Sequence, residues 1–169
     1  MSRLTRKLKI DRRFTPCSIK DGDELFPNGI FVFNITKMTE YITSHEIPCV
    51  EVQVRDYSMG ASKFKEEHLV AVDVTRPVIV AEISPDRYNV IDGNHRMEKA
   101  RRLGLETVMA YKLGPEQHLP FLTTSHGYSA FIDYWNGKLR DVNRFTKRVA
   151  ALETALSGNN RAGGKVGDA

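Results

Sequence analysis

Cysteine and long apolar runs are scarce in this sequence, and both absences exclude classes of protein. Cys17 and Cys49 are the only cysteines among 169 residues and form no C-x-x-C pattern, so we expect two reduced thiols rather than a disulfide framework. The longest apolar runs, such as residues 69–72, are much shorter than a membrane span. The N-terminus is basic and lacks the apolar core of a secretion signal, so we expect a cytoplasmic protein with no membrane partner.

The net charge of +4 at pH 7 is concentrated at the two ends of the chain. Residues 1–13 carry six basic residues against Asp11, and residues 157–169 carry two against Asp168, which leaves a net charge of −2 for the segment between them. A nucleic-acid groove needs a basic body, because its affinity comes mainly from phosphate neutralisation. We interpret residues 1–13 as a flexible basic arm, which either aids solubility or contacts nucleic acid. Residues 157–169 are rich in Gly and Asn and are predicted to be a disordered tail.

Residues 14–125 have the mixed strand and helix patterns of an α+β domain. The patterns predict strands at residues 30–33, 50–54, 77–83, 88–91 and 107–113. They predict helices at residues 36–44 with Thr36 as cap and from Ser62 through Phe64 and Leu69 to about Val72. After a strand break at residues 92–94 they predict a third helix, with Met97, Ala100 and Leu103 along one stripe, that Gly104 ends. A turn at residues 84–87 makes the third and fourth strands antiparallel, and residues 87–113 are expected to form a β-α-β unit with parallel strands.

A long helix is predicted over residues 126–156, with Ser125 as its cap. Its apolar residues are separated by steps of three or four and form one continuous stripe: Phe131, Trp135, Leu139, Val142, Phe145, Val149, Leu152 and Leu156. We expect this stripe to pack on the domain and close its core. Basic residues between Lys138 and Arg148 cover much of the other side, and we favour a solvated face over a DNA contact there.

The most informative residues are 90–96, Val-Ile-Asp-Gly-Asn-His-Arg, which join a strand to a helix by a sharp turn. The amides of a first helical turn have no internal partner, and the helix dipole adds positive charge, so such a turn binds phosphate readily. Gly93 permits close approach, His95 can donate a hydrogen bond, and Arg96 can clamp two phosphate oxygens. Asp92 suits a helix cap, a Mg²⁺ ligand or a base.

A simpler interpretation of the same residues is a turn and cap with His95 and Arg96 exposed on the helix. Two features favour the phosphate site. First-turn side chains are more often acidic, to complement the dipole, and here they are basic. The motif also follows the carboxyl end of a strand, where α/β sheets bind their ligands.

Residues 77–80, 88–100 and 103–104 resemble the ParB/sulfiredoxin superfamily. Its members have a strand, a Gly-rich turn ending in His-Arg or Arg-Arg, a helix with a small residue in its middle, and a closing Leu-Gly. The resemblance implies a mixed sheet with flanking helices and a turn that binds the phosphates of ATP, ADP or CTP. It assigns phosphate contacts to Gly93, Asn94, His95 and Arg96. Arg55 lies where the partition branch keeps a triphosphate-binding arginine.

Departures from the superfamily pattern narrow the choice among its branches. Asn94 replaces the nucleophilic cysteine of sulfiredoxin, and only about fifty residues follow the module, where partition proteins have a helix-turn-helix domain. The motif is most similar to the Asp-Gly-His-His-Arg of the free-serine kinases. That branch implies that Asp92 lies in the phosphotransfer site and that an earlier acidic residue assists, with Glu46, Glu51 and Asp56 as candidates. We favour Asp56.

Two functions follow as hypotheses. The first is a small ParB-like enzyme that binds a nucleoside di- or triphosphate with Mg²⁺ and transfers or hydrolyses a phosphoryl group. Asp92, His95 and Asp56 would be its catalytic residues, with Asp92 also the metal ligand. The second is a DNA-associated ParB-like module or nuclease without a helix-turn-helix domain, which uses the basic arm on nucleic acid. The sequence leaves the acceptor, the nucleotide and a homodimeric state open.

Overall fold

The computed structural model describes residues 6–57 and 64–159 of an α+β protein. Its strands are β1 (Leu25–Asn28), β2 (Phe31–Asn34), β3 (Cys49–Gln53), β4 (Val78–Ser84), β5 (Arg87–Asp92) and β6 (Thr107–Leu113). Its α-helices are α1 (Ile35–Ser44), α2 (Glu66–Ala71), α3 (Asn94–Arg102), α4 (Pro115–His118) and α5 (Ser125–Asn159). Two 3-10 turns follow β3 and α4, at Val54–Asp56 and Leu119–Phe121. The predicted mixed sheet with flanking helices and a long C-terminal helix is confirmed.

A four-stranded sheet in the order β3-β6-β4-β5 forms the centre of the domain. β4 runs parallel to β6, with Val78 opposite Ala110, and antiparallel to β5, with Val80 opposite Val90. β3 pairs antiparallel with β6 and forms one edge. β1 and β2 form a separate hairpin. The central position of β4 explains its almost continuous apolar sequence, because a strand inside a covered sheet is buried on both faces.

Alternate residues of β4 enter two different hydrophobic cores. Val78 and Val80 pack in a cluster with Met97 and Ala100 of α3. Ile79, Ala81 and Ile83, on the opposite face of β4, pack in the larger cluster. That cluster also contains residues of α1 and of the start of α5: Met38, Ile42, Phe131 and Trp135. The first core therefore fixes the start of α3 against the middle of the sheet.

The strands that flank α3 are not the parallel neighbours that the sequence predicted. β5 and β6 lie on opposite sides of β4, and because β5 is antiparallel to β4 while β6 is parallel to it, β5 and β6 run in opposite directions. The prediction was wrong because the tight β4-β5 hairpin reverses the chain before α3. The parallel pair is β4 and β6, so α3 is part of a longer crossover.

Helix α1 is capped two residues earlier than predicted. Asn34 is the N-cap, and its side chain accepts a hydrogen bond from Lys37 N at 3.0 Å. The Asn34 amide group also donates to Asp23 Oδ2 at 2.7 Å, so this fully buried residue is held from two directions. Thr36 lies inside the helix and accepts from Glu24 N instead. Strand β1, which contains Pro27, was not predicted.

The helix predicted from Ser62 can be compared with the structure only from residue 64 onward. Ser62 itself lies outside the described residues. The described helix, α2, begins at Glu66, so Phe64 precedes it and Val72 follows its last residue. Leu69 is buried, as the predicted apolar face requires.

The described part of the basic arm is fixed along α5 rather than free. Leu8 exchanges two hydrogen bonds of 2.9 Å with the Asn136 side chain. Trp135 Nε1 donates to Arg6 O at 3.2 Å, and the Tyr128 hydroxyl accepts from Asp11 N at 2.9 Å. The reason is that the buried polar groups of α5 need partners, and the arm backbone supplies them.

Only the first part of α5 belongs to the core. Tyr128, Phe131 and Trp135 are buried, whereas the apolar stripe from Val142 onward is mostly exposed. The expectation that the whole stripe closes the core is corrected, because the sheet ends before the helix does. Helix α5 continues to Asn159, so the first residues of the predicted tail are helical. Within the described ranges, no helix is long and apolar enough to cross a membrane.

Candidate phosphate and nucleotide site

The turn between β5 and α3 holds a glycine in a conformation that other residues rarely adopt. Gly93 is the N-cap of α3 with φ 87° and ψ 29°, and its carbonyl accepts from Met97 N at 2.9 Å. A Cβ on Gly93 would lie 2.7 Å from Val78 Cγ1 and 2.7 Å from Arg96 Nη2. The backbone angle and the close approach of β4 both require glycine here.

The first turn of α3 presents amide donors without a side-chain cap. Gly93 has no side chain to accept from them, and the turn contains no acidic residue. The amides of Asn94, His95 and Arg96 occupy positions that have no acceptor within a helix. Because the dipole adds partial positive charge at this end, the turn is suited to an anion.

Arg96 lies over Gly93 and pairs with Asp92. Its Nη2 donates to Asp92 Oδ2 at 2.9 Å, and the Arg96 side chain is only 15% exposed. Its Nε is buried and has no hydrogen-bond partner. Leaving a buried donor unpaired costs about 1–3 kcal/mol. An anionic oxygen that reached Arg96 Nε would therefore recover a hydrogen bond that the protein alone does not make.

His95 contacts the segment that leads into α2. Its ring makes T-shaped contacts with the rings of Phe64 and His68, at 5.4 Å and 5.5 Å between centroids. Two long side chains of α3 also bind α2: Lys99 Nζ donates to Val70 O and Val72 O at 2.8 Å, and Arg102 pairs with Glu66 at 2.8 Å. These contacts place α2 beside the first turn of α3.

A small cavity of about 350 Å³ lies between α2 and the first turn of α3. Its lining has more basic than acidic groups: His68, Ala71, Val72, Asp73, Arg76 and Arg96. Arg76 and Arg96 come from different elements and converge on one space. Arg76 therefore places a second guanidinium beside the turn, where it can also bind an anion.

A larger cleft of about 790 Å³ lies on the other side of the same turn and includes Asn94. The 3-10 turn after β3 contributes Asp56 to it, followed by Tyr57. Burial raises the pKa of Tyr57, with a smaller contribution from the Asp56 carboxylate. Lys112 Nζ lies 4.2 Å from the Tyr88 ring centroid in the same cleft. The size is within the range of small-molecule sites, and the lining offers both charge and aromatic surface.

The structure brings some of the predicted residues together and separates others. Asn94 and Asp56 line the same cleft, and Asp92 pairs with Arg96 at the turn. Arg55 is exposed and does not line that cleft.

The two other carboxylate candidates lie elsewhere. Glu46 follows α1 with a positive φ of 48°, and Glu51 accepts from the Thr107 hydroxyl across the β3-β6 pair. Of the three acidic candidates, Asp56 is therefore the one that borders the cleft.

Glu98 is a buried charge that sequence reasoning did not identify. It is 3% exposed and accepts from Arg101 at 2.7 Å and from Arg102 at 2.7 Å. The hydrogen bond from Arg101, followed by that from Arg102, lowers the pKa of Glu98 from 4.5 to about 2 despite its burial. Its i+3 and i+4 spacing to two arginines was the signal that could have found it.

The described residues contain no cluster of three His, Cys, Asp or Glu side chains that could hold a metal ion. Asp92 supplies one carboxylate at the turn, 25% exposed. A single carboxylate fits a Mg²⁺ ion that is held mainly by phosphate oxygens and water.

Arg76, His68 and Lys112 were not predicted as site residues. They come from elements distant from residues 92–96 in the chain, and no local motif contains them. Arg76 precedes Pro77 at the start of β4, a position that becomes meaningful only once β4 is known to pack beside α3.

A comparison with protein families gives a match that contains the turn between β5 and α3. Residues 36–115 match the family model of the ParB N-terminal domain. Among solved structures, the chain resembles the C-terminally truncated chromosome-partitioning protein ParB from Caulobacter crescentus complexed with CTP-gamma-S, with 24% identity and a TM-score of 0.31. The likeness covers 40% of this chain and 44% of that one, so it spans less than half of the solved chain. None of the curated proteins matches. The segment from α1 through β6 is thus a ParB-like domain.

Proposed function

We propose that the protein binds a nucleoside di- or triphosphate, with its phosphates at the first turn of α3. The observation that carries this proposal is the unpaired, buried Nε of Arg96 beside uncapped amides. A phosphate oxygen can accept from both kinds of donor at once. His95 and Asn94, on the same turn, would add hydrogen bonds.

The nucleoside would occupy the larger cleft. Asn94 lines that cleft and Arg96 lines the smaller cavity, so a ligand seated on the turn reaches both spaces. Tyr57 provides an aromatic surface for a base, and stacking of this kind tolerates different bases. ATP, ADP and CTP therefore remain the candidate ligands.

Phosphoryl transfer or hydrolysis is the reaction that we propose for the bound nucleotide. Mg²⁺, when bound with the phosphates, would neutralise their charge. Asp92 would hold that ion, while Arg96 would exchange its carboxylate partner for a phosphate oxygen. Asp56 lies in the cleft, where it would accept the proton of an attacking hydroxyl or water.

Nucleotide binding is tested by thermal shift and calorimetric titration with ATP, ADP, CTP and GTP, each with and without Mg²⁺. A ligand at a hundred times its Kd stabilises a protein by about 2.7 kcal/mol, which for this size is roughly a 5–10 °C rise in Tm. Arg96→Ala is expected to weaken binding by about 10-fold to 100-fold, the cost of one charge-assisted hydrogen bond or more. Arg144→Ala removes an exposed arginine of α5 and is the matched control.

Failure of all four nucleotides to bind, or equal binding by the Arg96→Ala variant, would contradict the proposal. DNA binding that weakens steeply with salt, in place of nucleotide binding, would favour the DNA-associated alternative. Deletion of residues 1–13 is not a clean test of the arm, because residues 6–11 contact α5. Replacing the exposed Lys7, Lys9 and Arg12 with glutamine removes charge from the arm but keeps its contacts with α5. This variant should leave nucleotide affinity unchanged.

Asp92→Asn tests the exchange of partners at Arg96. The substitution removes the carboxylate that competes for Arg96 and repels phosphate, so nucleotide affinity without Mg²⁺ should rise by about 3-fold to 10-fold. With Mg²⁺ the gain should disappear and phosphate release should fall to background. Titrations with EDTA or Mg²⁺ and a phosphate-release assay measure both effects, with the exposed Asp133→Asn as control. Unchanged affinity in EDTA would show that Asp92 and phosphate do not compete.

A further inference from the structure

The exposed half of α5 carries an apolar stripe that the domain does not cover. The same helix side that buries Tyr128, Phe131 and Trp135 in the core continues beyond the sheet. Its exposed residues include Phe145 at 69%, Leu152 at 63% and Leu156 at 71% exposure. Single exposed apolar residues are ordinary, but a regular row of them marks an interaction surface.

The spacing of this row is that of a coiled-coil seam. Val142, Phe145, Val149, Leu152 and Leu156 follow one another at steps of three, four, three and four residues. These are a and d positions of a heptad, with Val142, Val149 and Leu156 at a. Val142 and Val149 are β-branched residues at a, and Leu152 is a leucine at d, the combination that favours two strands.

An unsupported helix of this length is marginal in water. Residues 140–157 are exposed apart from Val149, which is half-buried. Helices in proteins gain most of their stability from packing an amphipathic face, and the described part of the domain offers nothing against which this segment packs. A partner helix would supply the missing contact.

The charges that flank the seam select the partner and its direction. Arg148 is at position g and Glu153 is at position e, five residues later. In a parallel, in-register pair, g of one helix meets e of the other at this separation, so Arg148 of each chain faces Glu153 of its partner. Neither residue makes an ion pair within the described part of the chain. An antiparallel pair sets g against g, where Arg148 meets an acidic residue only if the helices shift to bring it to Asp141, which precedes the seam.

We propose that residues 142–156 of α5 form a parallel two-stranded coiled coil with a second copy of this chain. The pair places the two ParB-like domains side by side at the same end of the coil. Arg144 and Lys147, at outer positions of the heptad, stay exposed in the dimer. The proposal does not depend on nucleotide binding, because the turn of α3 takes no part in it.

Sedimentation velocity of the full chain from about 1 to 300 μM tests the association, since a seam of about two heptads is expected to associate in the micromolar range. The parent should shift from monomer to dimer across this range. Phe145→Lys with Leu152→Lys should leave only monomer, with the Tm that the parent has at concentrations where it is monomeric, because neither residue is in the core. Thr154→Lys, at an outer position, is the matched control and should dimerise as the parent does.

Charge exchange tests the parallel register. Arg148→Glu alone and Glu153→Arg alone each set like charges opposite one another at two places in the dimer and should raise its Kd by about tenfold. The double variant restores opposite charges and should return the Kd to within about threefold of the parent, because pairs of this kind couple across the interface. Residues five apart on one helix do not face each other, so rescue reports contact between chains.

A monomer at every concentration would overturn the proposal. A dimer that persists with lysine at 145 and 152 would place the interface elsewhere. Absence of rescue in the double charge variant would reject the parallel register. Binding of monomeric protein to vesicles of anionic lipid, lost with the same two lysines, would assign the stripe to a membrane surface instead.

Discussion

Replacing Gly93 with alanine is expected to lower the free energy of unfolding by about 3 kcal/mol. The left-handed backbone costs a non-glycine residue about 1–2 kcal/mol. The added Cβ would also lie 2.7 Å from Val78 Cγ1, and Val78 is 1% exposed in the middle of the sheet. Overpacking of a buried strand costs typically about 1–3 kcal/mol. Urea unfolding followed by far-UV circular dichroism measures the loss.

Gly104→Ala is the matched control for this substitution. Gly104 follows the last turn of α3 with φ 70°, and a Cβ there would meet nothing within 4 Å. It should therefore cost only the backbone strain, about 1–2 kcal/mol. Equal losses for the two variants would show that β4 does not crowd the turn. Gly93→Ala should also weaken nucleotide binding, since the new methyl group displaces the Arg96 guanidinium.

Lowering the pH from 7 to 4.5 is expected to destabilise the protein through His118. This side chain is fully buried between the rings of Phe33 and Phe131, its Nε2 lies 2.9 Å from Glu82 O, and its Nδ1 has no partner. Burial lowers the pKa of His118 from 6.5 to about 4, against a smaller opposing effect of the Glu82 carbonyl.

The sign of the effect follows from proton uptake. Between pH 6.5 and 4 the unfolded chain binds a proton on His118 and the folded chain does not, so stability is lost as the pH falls. A lowering of this size corresponds to roughly 3 kcal/mol over the whole window, most of it already lost at pH 4.5. The Glu98 carboxylate, whose pKa is about 2, adds its own loss below about pH 4.5, so the comparison should stop there.

His118→Phe isolates this contribution. The variant keeps a ring in the aromatic pocket but cannot titrate, so its free energy of unfolding should change much less between pH 7 and 4.5 than that of the parent. At pH 7 the variant should lose about 1 kcal/mol, because Glu82 O loses its donor. His126→Phe, on the exposed side of α5, should keep the parent's pH dependence. A parent-like dependence in His118→Phe would show that His118 titrates normally.

Local patterns in the sequence predicted most elements but not their arrangement. The helix through Met97 and Ala100 and its end before Gly104 follow from residues within a few positions, and both were predicted. The placement of β6 between β3 and β4 depends on contacts between distant segments. Periodicity reports which face of a strand is buried but not which strand lies beside it.

The candidate site shows the same division. Gly93 and Arg96 were found because a turn, a helix start and basic side chains occur together in five residues. The polar residues around the turn come from distant segments, such as Asp56 from the 3-10 turn after β3 and Lys112 from β6. Their approach is set by the sheet order. The Asp92–Arg96 pair was also missed, because the sequence suggested phosphate as the partner of Arg96.

The apolar row of α5 did not show how much of the helix the domain buries. One continuous row of apolar residues predicted one continuous contact, and only the part before Gly137 has it. Core size, which limits how much of a helix can be covered, is a property of the whole domain.

Amide chemical shifts test the central claim most directly. A titration of ¹⁵N-labelled protein with the tightest-binding nucleotide should move the amide signals of Asn94, His95 and Arg96 most, together with the Nε signal of Arg96. Hydrogen bonding of these groups to phosphate predicts downfield shifts that saturate with the calorimetric Kd. Saturation of binding while these four signals stay in place would show that the first turn of α3 does not hold the phosphates.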